Sequence, residues 1–341
     1  FHYYLCRRLG GGMEIMMKKF QYEEVKAAYE RISKRLPMTP LAESFGLSVE
    51  GRRYFFKLES MQRVKSFKIR GALNKMLTLT DKERACGVAT ISSGNHGCSV
   101  SYAASLLGIK NAKIIVPETT PKSKVDKIKY FGGEVMLMGK DYDTAHREGM
   151  AYIEESGMTY IDAYYDDFKI YGGQGTVGIE ILKQNPDIDT IVVPIGGGGL
   201  ITGTAVAAKA IKPEIRIIGV QTEACPAMIK SYEDNVFYEE YPCEESLCDS
   251  LIGGVGALSY AMVKDCVDDL IMVSEESIAK AVGFMAMEEK IVAEAGSCTT
   301  VAAVQDFRER IGGKNVALVI SGGNIDGIML LDLMEKYNES K

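Results

Sequence analysis

Between Gln21 and Leu36 the apolar positions Val25, Ala28, Ile32 and Leu36 recur at three- and four-residue steps, which predicts an amphipathic helix ended by Pro37 and Pro40. Arg53 to Leu58 (RYFFKL) predicts a strand, and the stretch from Lys68 a helix reaching Leu79. Short β-branched runs then alternate with helical patterns. Strands are predicted at Val88 to Ile91, Ala112 to Val116 and Glu134 to Leu137, and helices at Asn95 to Leu107, Pro121 to Phe131 and Tyr142 to Glu155. After Asp162 the alternation resumes with a helix from Phe168 to Lys183, a strand from Thr190 to Ile195, a helix after Gly199 and a strand from Arg216 to Gln221. Tyr232 to Tyr260, with Gly253, Gly254 and Gly256, has no regular period and reads as a long, partly structured connection. The tail returns to order with strands at Leu270 to Val273 and Asn315 to Ile320. Helices are predicted at Glu275 to Lys290, at Gly296 to Arg310 and from about Asp326. Such alternation means an α/β chain with parallel-rich sheets flanked by helices.

Composition narrows the picture. A chain of 341 residues with 46% hydrophobic content can bury a large core and suggests two lobes. A net charge of -6 offers no basic field for a phosphate backbone, so no nucleic-acid partner is expected. No run approaches the roughly 20 apolar residues that span a bilayer, so no membrane partner is expected either. The eight cysteines lack C-x-x-C spacing and read as reduced thiols in a cytoplasmic protein. His2, His96 and His146 are too dispersed for a metal cage. Phe1 to Gly12 reads as a leader or tag, disordered, with the fold beginning near Met13.

Four stretches carry candidate chemistry. In Ser66-Phe67-Lys68-Ile69-Arg70-Gly71-Ala72 a lysine stands between an aromatic residue and a helix; desolvation would turn its amine into a nucleophile for a carbonyl compound. A solvated lysine at a helix start is the plain alternative. Gly196-Gly197-Gly198-Gly199-Leu200 lies between a strand and a helix, where N–H groups can approach a phosphate. It matches neither the P-loop nor G-x-G-x-x-G. Ser92-Ser93-Gly94-Asn95-His96-Gly97 suits a carboxylate, or is simply a cap made by Ser93 or Asn95. Ser321-Gly322-Gly323-Asn324 forms a third polar turn at a strand's C-terminal end, where open α/β sheets bind ligands.

Together with Gly172-Gly173-Gln174-Gly175-Thr176, these stretches resemble the fold type II pyridoxal-phosphate enzymes, specifically the threonine dehydratase and serine racemase family, over roughly Met13 to the C-terminus. The resemblance implies a two-lobed, tryptophan synthase β-like fold. Residues 85–164 would form a small domain, and 13–84 with 165–341 the large cofactor-binding domain. It implies pyridoxal 5'-phosphate bound covalently at Lys68, which then serves as the base at the substrate α-carbon, with Phe67 beside the ring. Gly196, Gly197, Gly198, Gly199 and Leu200 would take the phosphate, Asn95 the phenolic oxygen and Ser321 the pyridine nitrogen. Glu294 would stand near the ring's far side, and the turn of Ser92, Ser93, Gly94, Asn95 and His96 would hold the substrate carboxylate.

The implied reaction is β-elimination from L-threonine, L-serine or a related hydroxy amino acid, giving a 2-oxo acid and ammonia. A serine hydroxyl opposite the pyridine nitrogen leaves that nitrogen neutral and the ring a weaker electron sink, which suits loss of a β-leaving group. This sequence departs from the family's pattern at three places. Ser93 replaces the alanine usual in the dehydratases and is, in the racemases, the acid opposite the lysine, so racemisation is the second reading. Gln221 and Ala227 occupy the positions of two metal-binding carboxylates, so no metal is expected. Ser250 replaces a common glycine, which points to a related hydroxy or diamino acid. A non-catalytic cofactor-binding module is the reading from another class. Relatives imply a homodimer or homotetramer, and an end at Lys341 implies no feedback by isoleucine.

Overall fold

The computed structural model describes residues 20–340; the expectations for Phe1 to Gly12 and for a start at Met13 lie outside these residues. In chain order the elements are α1 Tyr22–Ile32, β1 Leu41–Glu43, β2 Arg53–Leu58, α2 Lys68–Leu77, α3 Asp81–Cys86, β3 Val88–Ile91, α4 Asn95–Leu107, β4 Ala112–Val116, α5 Lys122–Tyr130, β5 Glu134–Leu137, α6 Tyr142–Ser156 and β6 Thr159–Tyr160. There follow α7 Phe168–Gln184, β7 Thr190–Pro194, α8 Gly199–Ile211, β8 Arg216–Thr222, α9 Ala227–Glu233, α10 Ala257–Cys266, β9 Asp269–Val273, α11 Glu275–Met287, α12 Ala295–Ile311, β10 Asn315–Ile320 and α13 Gly327–Glu339. A six-stranded sheet runs β1-β2-β10-β7-β8-β9 and a four-stranded sheet β5-β4-β3-β6. Among the paired strands of the described residues, only β1–β2 is antiparallel. Strand β7 is buried at all five positions, as expected for a parallel strand covered on both faces.

Three helices of the large sheet's flank are drawn together by glycines. On α2, Ile69, Ala72, Leu73 and Met76 form a buried stripe at helical spacing. Its backbone also touches α7 directly, since a Cβ at Gly173 would come within 2.3 Å of the Arg70 carbonyl oxygen. Two residues on, a Cβ at Gly175 would meet the Gly203 carbonyl of α8 at 2.5 Å. The Gly-Gly-Gln-Gly motif is therefore a packing device, setting α2, α7 and α8 at backbone contact.

This stack encloses a buried charge network. Arg70 donates through Nε and Nη2 to Glu59 at 2.7 and 2.8 Å, and through Nη1 and Nη2 to Glu180 at 2.7 Å each. Lys57 Nζ reaches Glu180 at 2.6 Å and the Thr39 carbonyl at 2.8 Å. Two cations and two carboxylates thus balance out of water. Burial by itself would lower the Arg70 pKa, but Glu59 and Glu180 outweigh it and hold the guanidinium firmly charged.

The reading of every cysteine as a reduced thiol is corrected here: Cys225 and Cys243 are joined in a disulfide. Cys225 follows β8, and Cys243 lies in the 234–256 stretch between α9 and α10. The pair is separated by 18 residues, so no local spacing rule exposes it.

Candidate active site

Lys68 opens α2, and its turn is tied to the end of β10. Ser66 bridges to Gly322, the Phe67 N–H donates to the Ser321 carbonyl at 3.0 Å, and the Gly323 N–H to the Lys65 carbonyl at 2.9 Å. The Lys68 amine donates to the Ala163 carbonyl at 3.2 Å and lies 5.3 Å from the Phe67 ring centre and 5.6 Å from that of Tyr164. Desolvation pulls its pKa down to about 8, against the opposing pull of Asp162 and Glu294. A lysine poised near neutrality and touching a carbonyl is no ordinary solvated helix start.

The Ala163 carbonyl also accepts from Gln174 Nε2 at 3.2 Å, and Gln174 Oε1 is 2.4 Å from where a Gly199 Cβ would stand. Through this contact Lys68 and the tetraglycine turn share one locality. Protein packing accounts for part of that glycine run. The Tyr164 ring would be 2.0 Å from a Cβ on Gly197, and Gly198 takes a left-handed φ of 94°. Beyond the turn, the N–H groups of Gly199, Leu200 and Ile201 open α8 without a preceding turn to bond to, and the helix dipole adds positive potential. The arrangement suits an anion.

The SSGNHG turn behaves differently from a cap. Gly94 occupies the cap position of α4 and no side chain caps the helix. The Asn95 amide instead donates to both Glu294 carboxylate oxygens at 3.0 and 3.1 Å and accepts from Asn324 Nδ2 at 2.5 Å. The His96 ring turns inward, its Nε2 2.9 Å from the Ile161 carbonyl, and burial with the nearby Lys68 charge lowers its pKa to about 3. Any contact from His96 to an anion would come from its backbone N–H.

Glu294 is buried, which raises its pKa against hydrogen bonds from Asn95 and from the Asn324 N–H at 3.1 Å. It joins two of the sequence motifs, SSGNHG and SGGN, in one knot. Ser321 lies within 3.1 Å of the Ser297 hydroxyl, which also accepts from the Gly322 N–H at 2.7 Å. Gln221 does not reach outward: its Oε1 accepts from the Met228 and Ile229 N–H groups at 3.0 Å and so satisfies the start of α9. Ser250 lies against Gly296, with its Oγ 2.6 Å from the position of a Cβ there. Sequence reasoning assigned no role to Asp162, Tyr164, Gln174, Ser297 or Asn324. Gln174 and Asn324 stood inside quoted motifs; the others had no local signal.

A sequence profile described as "pyridoxal-phosphate dependent enzyme" matches residues 32–322. The chain belongs to this family. Among its relatives, an L-threonine ammonia-lyase of Thermotoga maritima is 40% identical over 92% of this chain and 78% of its own length. The catabolic L-threonine dehydratase of Escherichia coli K12 is 37% identical over 89% of this chain and 93% of its own. The structure of maize serine racemase superposes with a TM-score of 0.84 at 33% identity, covering 94% of this chain and 98% of that one. The residues present fit the family's cofactor: an amine of lowered pKa to condense with the aldehyde, a helix start rich in glycine for the phosphate and a buried hydroxyl at Ser321. No helix among the described residues is long and apolar enough to cross a membrane.

Proposed function

We propose that the chain is an ammonia-lyase acting on L-threonine, L-serine or a related hydroxy amino acid, giving a 2-oxo acid and ammonia. The observation that carries this reading is the Lys68 amine, brought to a pKa of about 8 and gathered with two helix starts, α4 and α8, at the C-terminal ends of the sheets. Bound pyridoxal phosphate supplies the electron withdrawal that acidifies the substrate's α-hydrogen. Lys68 Nζ would hold it and would serve as the base for that proton. Phe67 would flank the ring, Gly196 to Leu200 would receive the phosphate, and Ser321 would face the pyridine nitrogen. Asn95, oriented by Glu294 and Asn324, would serve the phenolic oxygen. The backbone of the Ser92 to His96 turn would hold the substrate carboxylate.

The names of the Thermotoga and Escherichia relatives support elimination. Ser93 and the likeness to maize serine racemase support a second reading, in which Ser93 delivers a proton to the face opposite Lys68 and returns a D-amino acid. A panel of amino acids assayed together for 2-oxo acid and D-amino acid tests both. We expect 2-oxo acid from L-threonine or L-serine as the main product; D-amino acid alone would reverse the order of the two readings, and neither product would overturn both. We further infer that residues 85–164 form a small domain and 13–84 with 165–341 the large one, a division that the separate β5-β4-β3-β6 sheet supports. A cytoplasmic homodimer or homotetramer is the state we propose, testable by light scattering on the purified protein.

A further inference from the structure

We propose that Cys225 and Cys243 form a reversible thiol–disulfide site, and that closing it clamps the loop backing the tetraglycine turn. The functional consequence rests on the reading that this turn holds the cofactor phosphate; the thiol chemistry does not.

The two cysteines differ in access. Cys225 is 1% exposed, whereas Cys243 is exposed on the 234–256 stretch. Their Cα atoms are 4.8 Å apart, inside the span that a disulfide bridges. The other described cysteines are unbridged: Cys86 is exposed, Cys266 half-buried, and Cys98, Cys248 and Cys298 buried. The Gly253 N–H donates toward both sulfurs, at 3.4 Å to Cys225 and 3.2 Å to Cys243. A second tie lies beside them, the Glu244 N–H to the Ala224 carbonyl at 3.0 Å.

From Gly253 the path to the site is short in both directions. Two residues back, Leu251 packs its Cα 3.2 Å from where a Gly196 Cβ would stand. Three residues on, the Gly256 N–H donates to the Gly197 carbonyl at 2.9 Å. The bridge therefore anchors, to the end of β8, the same segment that supports Gly196 and Gly197. Without it, that segment crosses from α9 to α10 with no helix or strand of its own.

The exchange needs a small-molecule disulfide such as glutathione disulfide. The Cys243 thiolate attacks it, forming a mixed disulfide and expelling one glutathione thiolate. The Cys225 thiolate then displaces the second, so two protein thiols are oxidised and one glutathione disulfide is reduced to two thiols. Excess thiol reverses both steps through the accessible Cys243 sulfur. In a reducing compartment such a bridge is transient, which is the behaviour expected of a sensor.

The test uses the full chain equilibrated in glutathione buffers of opposite poise, with differential alkylation and peptide mass mapping, and with cofactor affinity measured by fluorescence titration of the cofactor-free protein. We expect Cys225 and Cys243 to be protected from alkylation only in the oxidising buffer. Opening the bridge should raise the dissociation constant for pyridoxal phosphate about threefold to tenfold, the cost of ordering a released loop on binding. Cys243→Ser should show the weaker constant in both buffers. Full alkylation of both cysteines after oxidation would overturn the site, and equal affinity with the bridge closed and with it open would overturn the clamp. Because the alkylation map depends on neither cofactor nor turnover, failure of the lyase reading leaves its result readable.

Discussion

The two walls of the site are built on opposite principles. On one side α2, α7 and α8 meet backbone to backbone at Gly173 and Gly175, around a charge network buried from water. On the other, the 243–256 loop has no helix or strand of its own and is held by point ties: the disulfide, Gly253, the Glu244 N–H to the Ala224 carbonyl, and Glu275, which accepts from Ser246 Oγ at 2.8 Å and from the Leu247 N–H at 2.7 Å. The tetraglycine turn lies between them, its Gly199 end against Gln174 and its Gly196 end against Leu251. The difference teaches where precision is needed. The reactive amine belongs to the interlocked wall, where neighbouring helices over-determine its position, while the turn proposed for the anion is shared with a wall that can loosen.

Substitutions in the interlocked wall should have the largest effects. Lys68→Ala should lower turnover by about a thousandfold or more while leaving the circular dichroism spectrum unchanged; turnover within tenfold would remove Lys68 from the chemistry. Arg70→Met leaves Glu59 and Glu180 facing no guanidinium and should cost about 3–5 kcal/mol by denaturant unfolding. Arg70→Lys keeps the charge but loses the fork that grips both carboxylates. It should lose less stability than Arg70→Met and still lower kcat well below the melting transition. Equal stability of all three proteins would break the contrast between the walls.

For Ser93 and for the charge of the Lys68 amine the effects should be smaller and more specific. Ser93→Ala should abolish any D-amino acid while changing 2-oxo acid formation by less than about tenfold; the reverse pattern would refute the role given to Ser93. The smallest shift concerns charge. The Lys68 amine of the cofactor-free protein should be labelled by amine reagents with a midpoint near pH 8. Because its folded pKa lies below its ordinary value of 10.5, burying the charged form costs stability at low pH. That cost fades as pH rises from about 8 through 10.5, a gain that Lys68→Met should lack. Asp162→Asn removes a charge that raises the Lys68 pKa, so its labelling midpoint should fall; an unchanged midpoint would show that Asp162 does not act on the amine.

Much of the fold was legible because parallel strands flanked by helices leave long apolar periods. What escaped was short or irregular: β1, β6, α3, α9 and α10. Of these, α3 announced itself through Thr80 and Glu83, which form a reciprocal capping box. The glycines from Gly253 to Gly256 masked the start of α10. In the site, lysine and glycine turns carry local signatures, but the contacts of Tyr164 with Gly197 and of Ser297 with Ser321 exist only after distant segments pack. Asn95 shows the limit of local reading. Its place beside a helix start suggested a cap, while its partners, Glu294 and Asn324, come from the far end of the chain.

The central claim is that Lys68 is the amine that carries the cofactor. The protein reconstituted with pyridoxal phosphate should be reduced with borohydride, digested and mapped by mass spectrometry. The account predicts that the reduced cofactor is found on the peptide containing Lys68, with the visible absorbance band lost on reduction. Cofactor fixed to another lysine, or no covalent attachment at all, would contradict it.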